Sequence, residues 1–202
     1  MAYCTTYDIK LYGGYSDSDN FDDDLFAMLI PIAQQKIDSY CKRTFEYTND
    51  SDSSESRIFD AEDSVVDGYT LILDKDLHSI RSITVDGTAI SSDNYVTEPR
   101  SDAPYWGVTI LGSSESSWDY GTDAENAIAV DGHWAFSQSA PEDIMMACVL
   151  LTQWLHKMRN SDLALTAPII DTRAGVTIMP IQLPSIVTTI LDDYVRIIVK
   201  AV

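Results

Sequence analysis

The sequence predicts an α+β fold: a helical bundle core of about three to four helices with an inserted small antiparallel β domain. Three observations lead there. Apolar residues recur at helical spacing near both ends of the chain, most clearly over 139–159. From 57 to 136 the pattern changes to short β-branched and aromatic runs separated by Gly, Asp, Ser and Asn. A polar stretch without packing residues, YTNDSDSSES at 47–56, marks the change. Residues 1–46 and 137–202 are thus expected to form the helical core, 57–136 the insert and 47–56 a linker.

In chain order, TTYDIKLY at 5–12 reads as a short helix stopped by Gly13-Gly14. An acidic loop follows. Its Asp17-x-Asp19 start has the spacing of a calcium loop, but Phe21 stands where an oxygen ligand is needed, so no metal is expected. Residues 22–43 form a second helix, opened by three Asp and closed by Lys42-Arg43, as the helix dipole prefers. Leu25, Leu29, Ile32 and Tyr40 lie near one stripe, with Phe26, Ile30, Ala33 and Ile37 beside it. Pro31 removes one backbone hydrogen bond and should kink this helix.

Strand signals fall at Ile58-Phe59, 69–73, 80–85, Ala89-Ile90, 108–111 and 128–136. Asp86-Gly87 between β-branched runs is a hairpin signal. Trp106, Trp118, Tyr120 and Trp134 are expected in the core of the insert, where a small β domain needs bulk. In the helix at 139–159, Ile144, Cys148, Leu151, Leu155 and Met158 share a face that Trp154 widens, and Ser139 with Glu142 has capping-box spacing. Ile37, Tyr40, Ile144, Cys148, Leu151, Trp154 and Leu155 are the expected helical core. The last segment, from 185, puts Val187, Ile190, Leu191, Tyr194 and Ile198 at helical spacing behind Pro184. Cys4, Cys41 and Cys148 are widely spaced and expected to be buried, reduced thiols.

The formal charge is −19. Residues 44–134 hold 19 acidic and 4 basic side chains, so the acidity belongs to the middle of the chain. Such a chain is not held to nucleic acid by phosphate neutralisation. No apolar run reaches membrane-spanning length, and the N-terminus lacks the basic and apolar regions of a signal peptide. Phosphate-binding glycine patterns and a nucleophile elbow are absent, and His78, His133 and His156 lack metal-ligand spacing. No cofactor and no enzymatic activity are expected.

Four motifs in order carry a resemblance. They are AQQKIDSYCKRTFE at 33–46, with Ala33, Ile37, Asp38, Tyr40, Arg43 and Phe45; LILDKDLHSIRSITVDGTAI at 71–90; WAFSQSAPEDIMMACVLLTQWLHKMR at 134–159; and GVTIMPIQLPSIVTTILDDYVR at 175–196. Together they resemble the tailed-bacteriophage head–tail adaptor proteins, also called head-completion or connector proteins. The resemblance implies a non-enzymatic, structural part of the virion neck, drawn from host cytoplasm during assembly. Such a protein forms a ring, typically dodecameric, under the portal protein. It extends the DNA channel without binding DNA specifically, and docks the stopper or tail-completion protein. The portal contact would then fall on Ile181, Leu183, Val187, Leu191, Tyr194, Val195 and Ile198. Two other readings stay open. One is a binding module in which Tyr95, Tyr105, Trp106, Trp118 and Tyr120 form an aromatic platform for sugar or protein. The other is a metal-dependent hydrolase built from scattered Asp and His.

Overall fold

A computed structural model describes residues 2–16, 18, 20–47, 54–121, 123–158, 170–171, 176–177 and 183–197. Its fold is α+β, and the chain divides into two compact units. The helical unit comprises Ala2–Lys42 and Pro141–Val195; the β unit comprises Arg43–Ala140 and the chain from Arg196 onward.

Helix α1 (Thr6–Gly13) is set locally. The Thr5 hydroxyl accepts the Asp8 amide, the Asp8 carboxylate accepts the Thr5 amide, and Gly14 closes the helix at φ 69°. Helix α2 (Asp23–Cys41) runs unbroken through Pro31. Phe26, Ile30, Ala33, Ile37 and Cys41 are its buried stripe, whereas Ile32 is 40% exposed. Lys42 ends it in the left-handed region, at φ 57°.

Helix α4 (Glu142–Met158) follows the β unit in sequence and begins two residues later than a Ser139 cap requires. The residue before a proline is biased toward extended backbone, so Ala140 is a poor helical position. The Pro141 carbonyl instead accepts the Met145 amide, and the Ser139 carbonyl takes the Ser137 hydroxyl. Ile144, Ala147, Cys148, Val149 and Leu151 are buried, with Trp154 and Leu155 half-buried at the margin. Helix α5 (Ser185–Asp192) buries Val187 and Leu191 and stops well short of Ile198. A two-residue pair, β9 (Ile170–Asp171) with β10 (Val176–Thr177), lies in the connection between α4 and α5.

The β unit holds strands β1 (Glu55–Phe59), β2 (Val65–Val66), β3 (Thr70–Leu77), β4 (Ser79–Val85), β5 (Thr88–Ala89), β6 (Tyr95–Glu98), β7 (Tyr105–Ile110) and β8 (Ile128–His133). A one-turn helix, α3 (Ala61–Ser64), precedes β2. They form two antiparallel four-stranded sheets, ordered β1-β8-β4-β5 and β2-β3-β7-β6. Inward residues of both sheets, including Leu71, Leu73, Ile83, Val108, Ile128 and Val130, make one apolar core. The β4–β5 hairpin turns on Asp86 (φ 46°) and Gly87 (φ 75°), the geometry a two-residue primed turn demands.

Strands β2 and β6 extend the sequence expectation. Two residues are too few to show alternation, and YVTE is half-buried throughout. Strand β8 ends at His133 rather than at Phe136. Beyond it the Phe136 and Ser137 amides turn to the Thr44 and Phe45 carbonyls. Of the expected core aromatics, Trp118 and Trp134 are enclosed and their indole N–H groups donate to the Tyr69 and Glu55 carbonyls, at 2.7 and 2.8 Å. Tyr120 packs half-buried against the same core. Trp106 departs from expectation at 39% exposed. It sits where the β3–β7 register shifts, so that no regular partner covers it.

Candidate interaction surfaces and the Asp76 clasp

The three histidines serve packing. The His133 Nδ1 lies 2.8 Å from the Ser79 hydroxyl, and the Tyr47 ring sits against both His133 and His78. His156 lies 3.1 Å from Asp22 and against Phe26. Among the described residues no group of three His, Cys, Asp or Glu side chains could hold a metal ion, and no helix is long and apolar enough to cross a membrane. Of the five aromatics of the platform reading, Trp118 is buried and Tyr95, Tyr105 and Tyr120 pack against the β core. Only Trp106 is exposed.

The most concentrated polar structure is a charged cluster in the β unit. The bulge that interrupts β3 turns Asp76 inward, leaving it 6% exposed. Arg43 reaches one carboxylate oxygen at 3.2 Å and Arg196 the other at 3.2 Å. Arg196 also donates to the Leu73 carbonyl at 2.8 Å and to the Asp74 carbonyl. Arg57 extends the cluster: it lies 2.9 Å from Asp74 and stacks over Trp134, while Arg43 lies over Phe136. Burial pushes the Asp76 carboxyl above the ordinary carboxylate range, against the opposing pull of Arg43 and Arg196. Burial likewise lowers Arg196, which Asp76 opposes. The arrangement holds chain together; it does not present a reactive group.

Arg43 and Asp76 both stand inside the motifs that carry the resemblance, so part of the clasp was available in the sequence. Arg196 ends the last of those motifs, but nothing in YVRIIV distinguishes it from a solvated cation.

The expected contact residues of the closing segment separate into three groups. Val187 and Leu191 are fully buried in the helical unit. Leu183 and Tyr194 are half-buried and Val195 is 40% exposed. Ile181 and Ile198 lie outside the described residues. The Tyr40 hydroxyl donates to Asp192 at 2.5 Å, and the Tyr194 hydroxyl to Asp143 at 3.4 Å. These bonds tie the end of α5 and the turn after it to α2 and α4.

The outward side of α2 is a second surface. Ala27, Met28, Pro31, Ile32, Gln35, Lys36 and Ser39 recur at helical spacing and are exposed, Met28 at 58%. Ile32, Gln35, Lys36, Ser39, Tyr40 and Leu183 line an open groove of about 530 Å³. No acidic residue falls between Asp24 and Asp38, and Lys36 is the one charged side chain there. On a chain of charge −19, this is an apolar face relieved of the general negative field. In α1, Tyr7, Leu11 and Tyr12 are also more than half exposed.

No family model and no curated protein matches the sequence. Several solved chains match the structure, among them two from gene transfer agent particles. One belongs to the neck of an empty GTA particle computed with C6 symmetry. It has a TM-score of 0.58 and 11% identity, over 96% of this chain and 89% of that one. The other belongs to the virion of a native gene transfer agent (GTA) particle. It has a TM-score of 0.55 and 12% identity, over 92% and 84%. At these identities the likeness establishes a shared fold, and it runs nearly the whole length of both chains.

Proposed function

We propose that this chain is a structural, non-enzymatic neck protein of a phage-like particle, acting as the head-to-tail adaptor between portal protein and stopper. The observation that carries the reading is the fold shared with a GTA neck chain over 96% of the present one. The four motifs resembling tailed-phage adaptors point the same way from sequence. Function does not follow from fold alone, so surface properties must agree. They do: polar side chains inside the β unit serve packing and clasping, while apolar side chains of the helical unit face solvent.

On this reading the protein assembles from the host cytoplasm into a homo-oligomeric ring under the portal and extends the DNA channel. The acid-free face of α2 suits the contact between copies. Its Lys36 would meet the acidic surface of a neighbour, whose residues 44–134 carry the excess of carboxylates. Where those carboxylates line the channel, they repel passing DNA. The portal contact is assigned to half-buried Leu183 and Tyr194, to exposed Val195, and to Ile181 and Ile198. Val187 and Leu191 support it from inside.

The test is size-exclusion chromatography with light scattering, on the chain alone and mixed with the portal ring of its particle, followed by gold labelling of intact particles. A stoichiometric complex with the portal and label confined to the neck are expected. Failure to join the portal, or label elsewhere, overturns the reading.

A further inference from the structure

We propose that Cys4 and Cys148 are the two halves of a latent disulfide that staples the segment before α1 to the middle of α4. Their sulfurs are 3.2 Å apart, with side chains 2% and 0% exposed. Bond formation needs the sulfurs to approach to about 2.05 Å, a closure of about 1 Å. The third cysteine provides the contrast: Cys41 is equally buried, but its sulfur faces the Leu191 carbonyl at 3.7 Å. Cys4 is also held from both sides. The Tyr3 hydroxyl donates to Asp38 at 2.6 Å, and Thr5 is the cap of α1. The thiol pair is thus presented by a fixed backbone.

The hydrogen bond with Cys4 and burial push the Cys148 thiol well above its ordinary range. Cys148 also sits in the middle of α4, whereas Cys4 lies on the segment before α1, the part that local opening exposes. The reaction begins when the Cys4 segment opens and its thiolate attacks a low-molecular-weight disulfide such as oxidised glutathione. One glutathione thiolate leaves and a mixed disulfide remains on Cys4. Cys148 then loses its proton to the departed thiolate and attacks the Cys4 sulfur, expelling the second glutathione. Two protein thiols are oxidised to one disulfide, and one oxidised glutathione is reduced to two thiols. Because both sulfurs are enclosed, the closure is slow and limited by opening of the segment. The neck reading bears only on timing: a released particle passes from a reducing to an oxidising medium.

The experiment uses the full reduced chain, incubated with oxidised glutathione, then denatured, alkylated and mapped by mass spectrometry. Expected are one alkylated cysteine, Cys41, and a Cys4–Cys148 linked peptide that dithiothreitol releases. The Tm should rise by about 5–15 °C, because the bridge closes a long loop of the unfolded chain. Cys41→Ser should keep the linked peptide, and Cys4→Ser should abolish it. Three alkylated cysteines after prolonged oxidation, a pair that includes Cys41, or a bridge that leaves Tm unmoved would each overturn the proposal. Portal binding is not involved, so failure here leaves the neck reading standing.

Discussion

Arg196 Nε lies 3.2 Å from Asp76 Oδ1, and through this bond the chain beyond α5 is fixed to the bulge of β3. Asp76 is shared, since Arg43 holds its other oxygen. Two half-buried guanidinium groups therefore share one buried carboxylate. Asp76→Asn removes that charge and leaves both cations uncompensated. We expect a loss of about 3–5 kcal/mol in urea unfolding. A loss under about 1 kcal/mol would mean that solvent compensates the two arginines.

Leu151 is fully buried in the middle of α4. Leu151→Ala should cost about 2–5 kcal/mol, by lost transfer energy plus the cavity left behind. A cost under about 1 kcal/mol would remove α4 from the centre of the helical unit.

Gly132 marks a close approach in the β unit. A Cβ there would stand 2.2 Å from the Ser79 carbonyl oxygen and 2.9 Å from Leu77 Cδ1. Backbone must move to admit it, so Gly132→Ala should destabilise by about 1–3 kcal/mol or more. At Gly112 nothing lies within 4 Å of the same atom. Gly112→Ala is the matched control and should stay within about 0.5 kcal/mol of wild type. Equal Tm values for the two variants would contradict the close contact.

Four tyrosines titrate above the ordinary phenol value. Tyr40 and Tyr120 are raised first by hydrogen bonds to Asp192 and Glu62, and Tyr95 and Tyr194 first by burial. A folded value above the unfolded one favours the native state while the hydroxyl is protonated. The contribution is complete below about pH 10 and is lost as pH rises through the folded values. Tyrosinate absorbance against pH should show late-titrating phenols, with thermal stability falling over the same range. Tyr40→Phe should remove part of that fall. Titration of all eleven tyrosines together at the ordinary value would refute it.

Ile32→Asp puts a carboxylate on the acid-free outer face of α2. Ile32 is 40% exposed, so the fold should tolerate the change, while association between copies weakens by about tenfold or more. Light scattering over a dilution series reads it. Unchanged association with an unchanged circular dichroism spectrum would take the copy contact away from this face.

Much of the local structure was legible because its causes are local. Helical spacing identified Ile37, Ile144, Cys148 and Leu151, all of which are enclosed. Asp86-Gly87 specified its turn through two positive φ angles. The Gly13-Gly14 stop placed the end of α1, which Gly14 closes at φ 69°. The Ser139 cap failed for an equally local reason, the extended bias that Pro141 imposes on Ala140. Where a residue's role depends on the side that a distant segment covers, the pattern was silent. Ile32 and Phe26 belong to neighbouring stripes of one helix, and packing in the helical unit decided that Phe26 is inside.

By itself, then, the sequence determined the α+β class, the positions of the main helices, the β4–β5 hairpin and the concentration of acid between 44 and 134. Dihedral preference, period and charge are properties of neighbours in the chain. Tertiary structure alone decided that Asp76 turns inward between Arg43 and Arg196, that Cys4 meets Cys148, and that Trp106 stays in solvent. Each of these depends on groups far apart in sequence, whose meeting only the folded backbone can arrange.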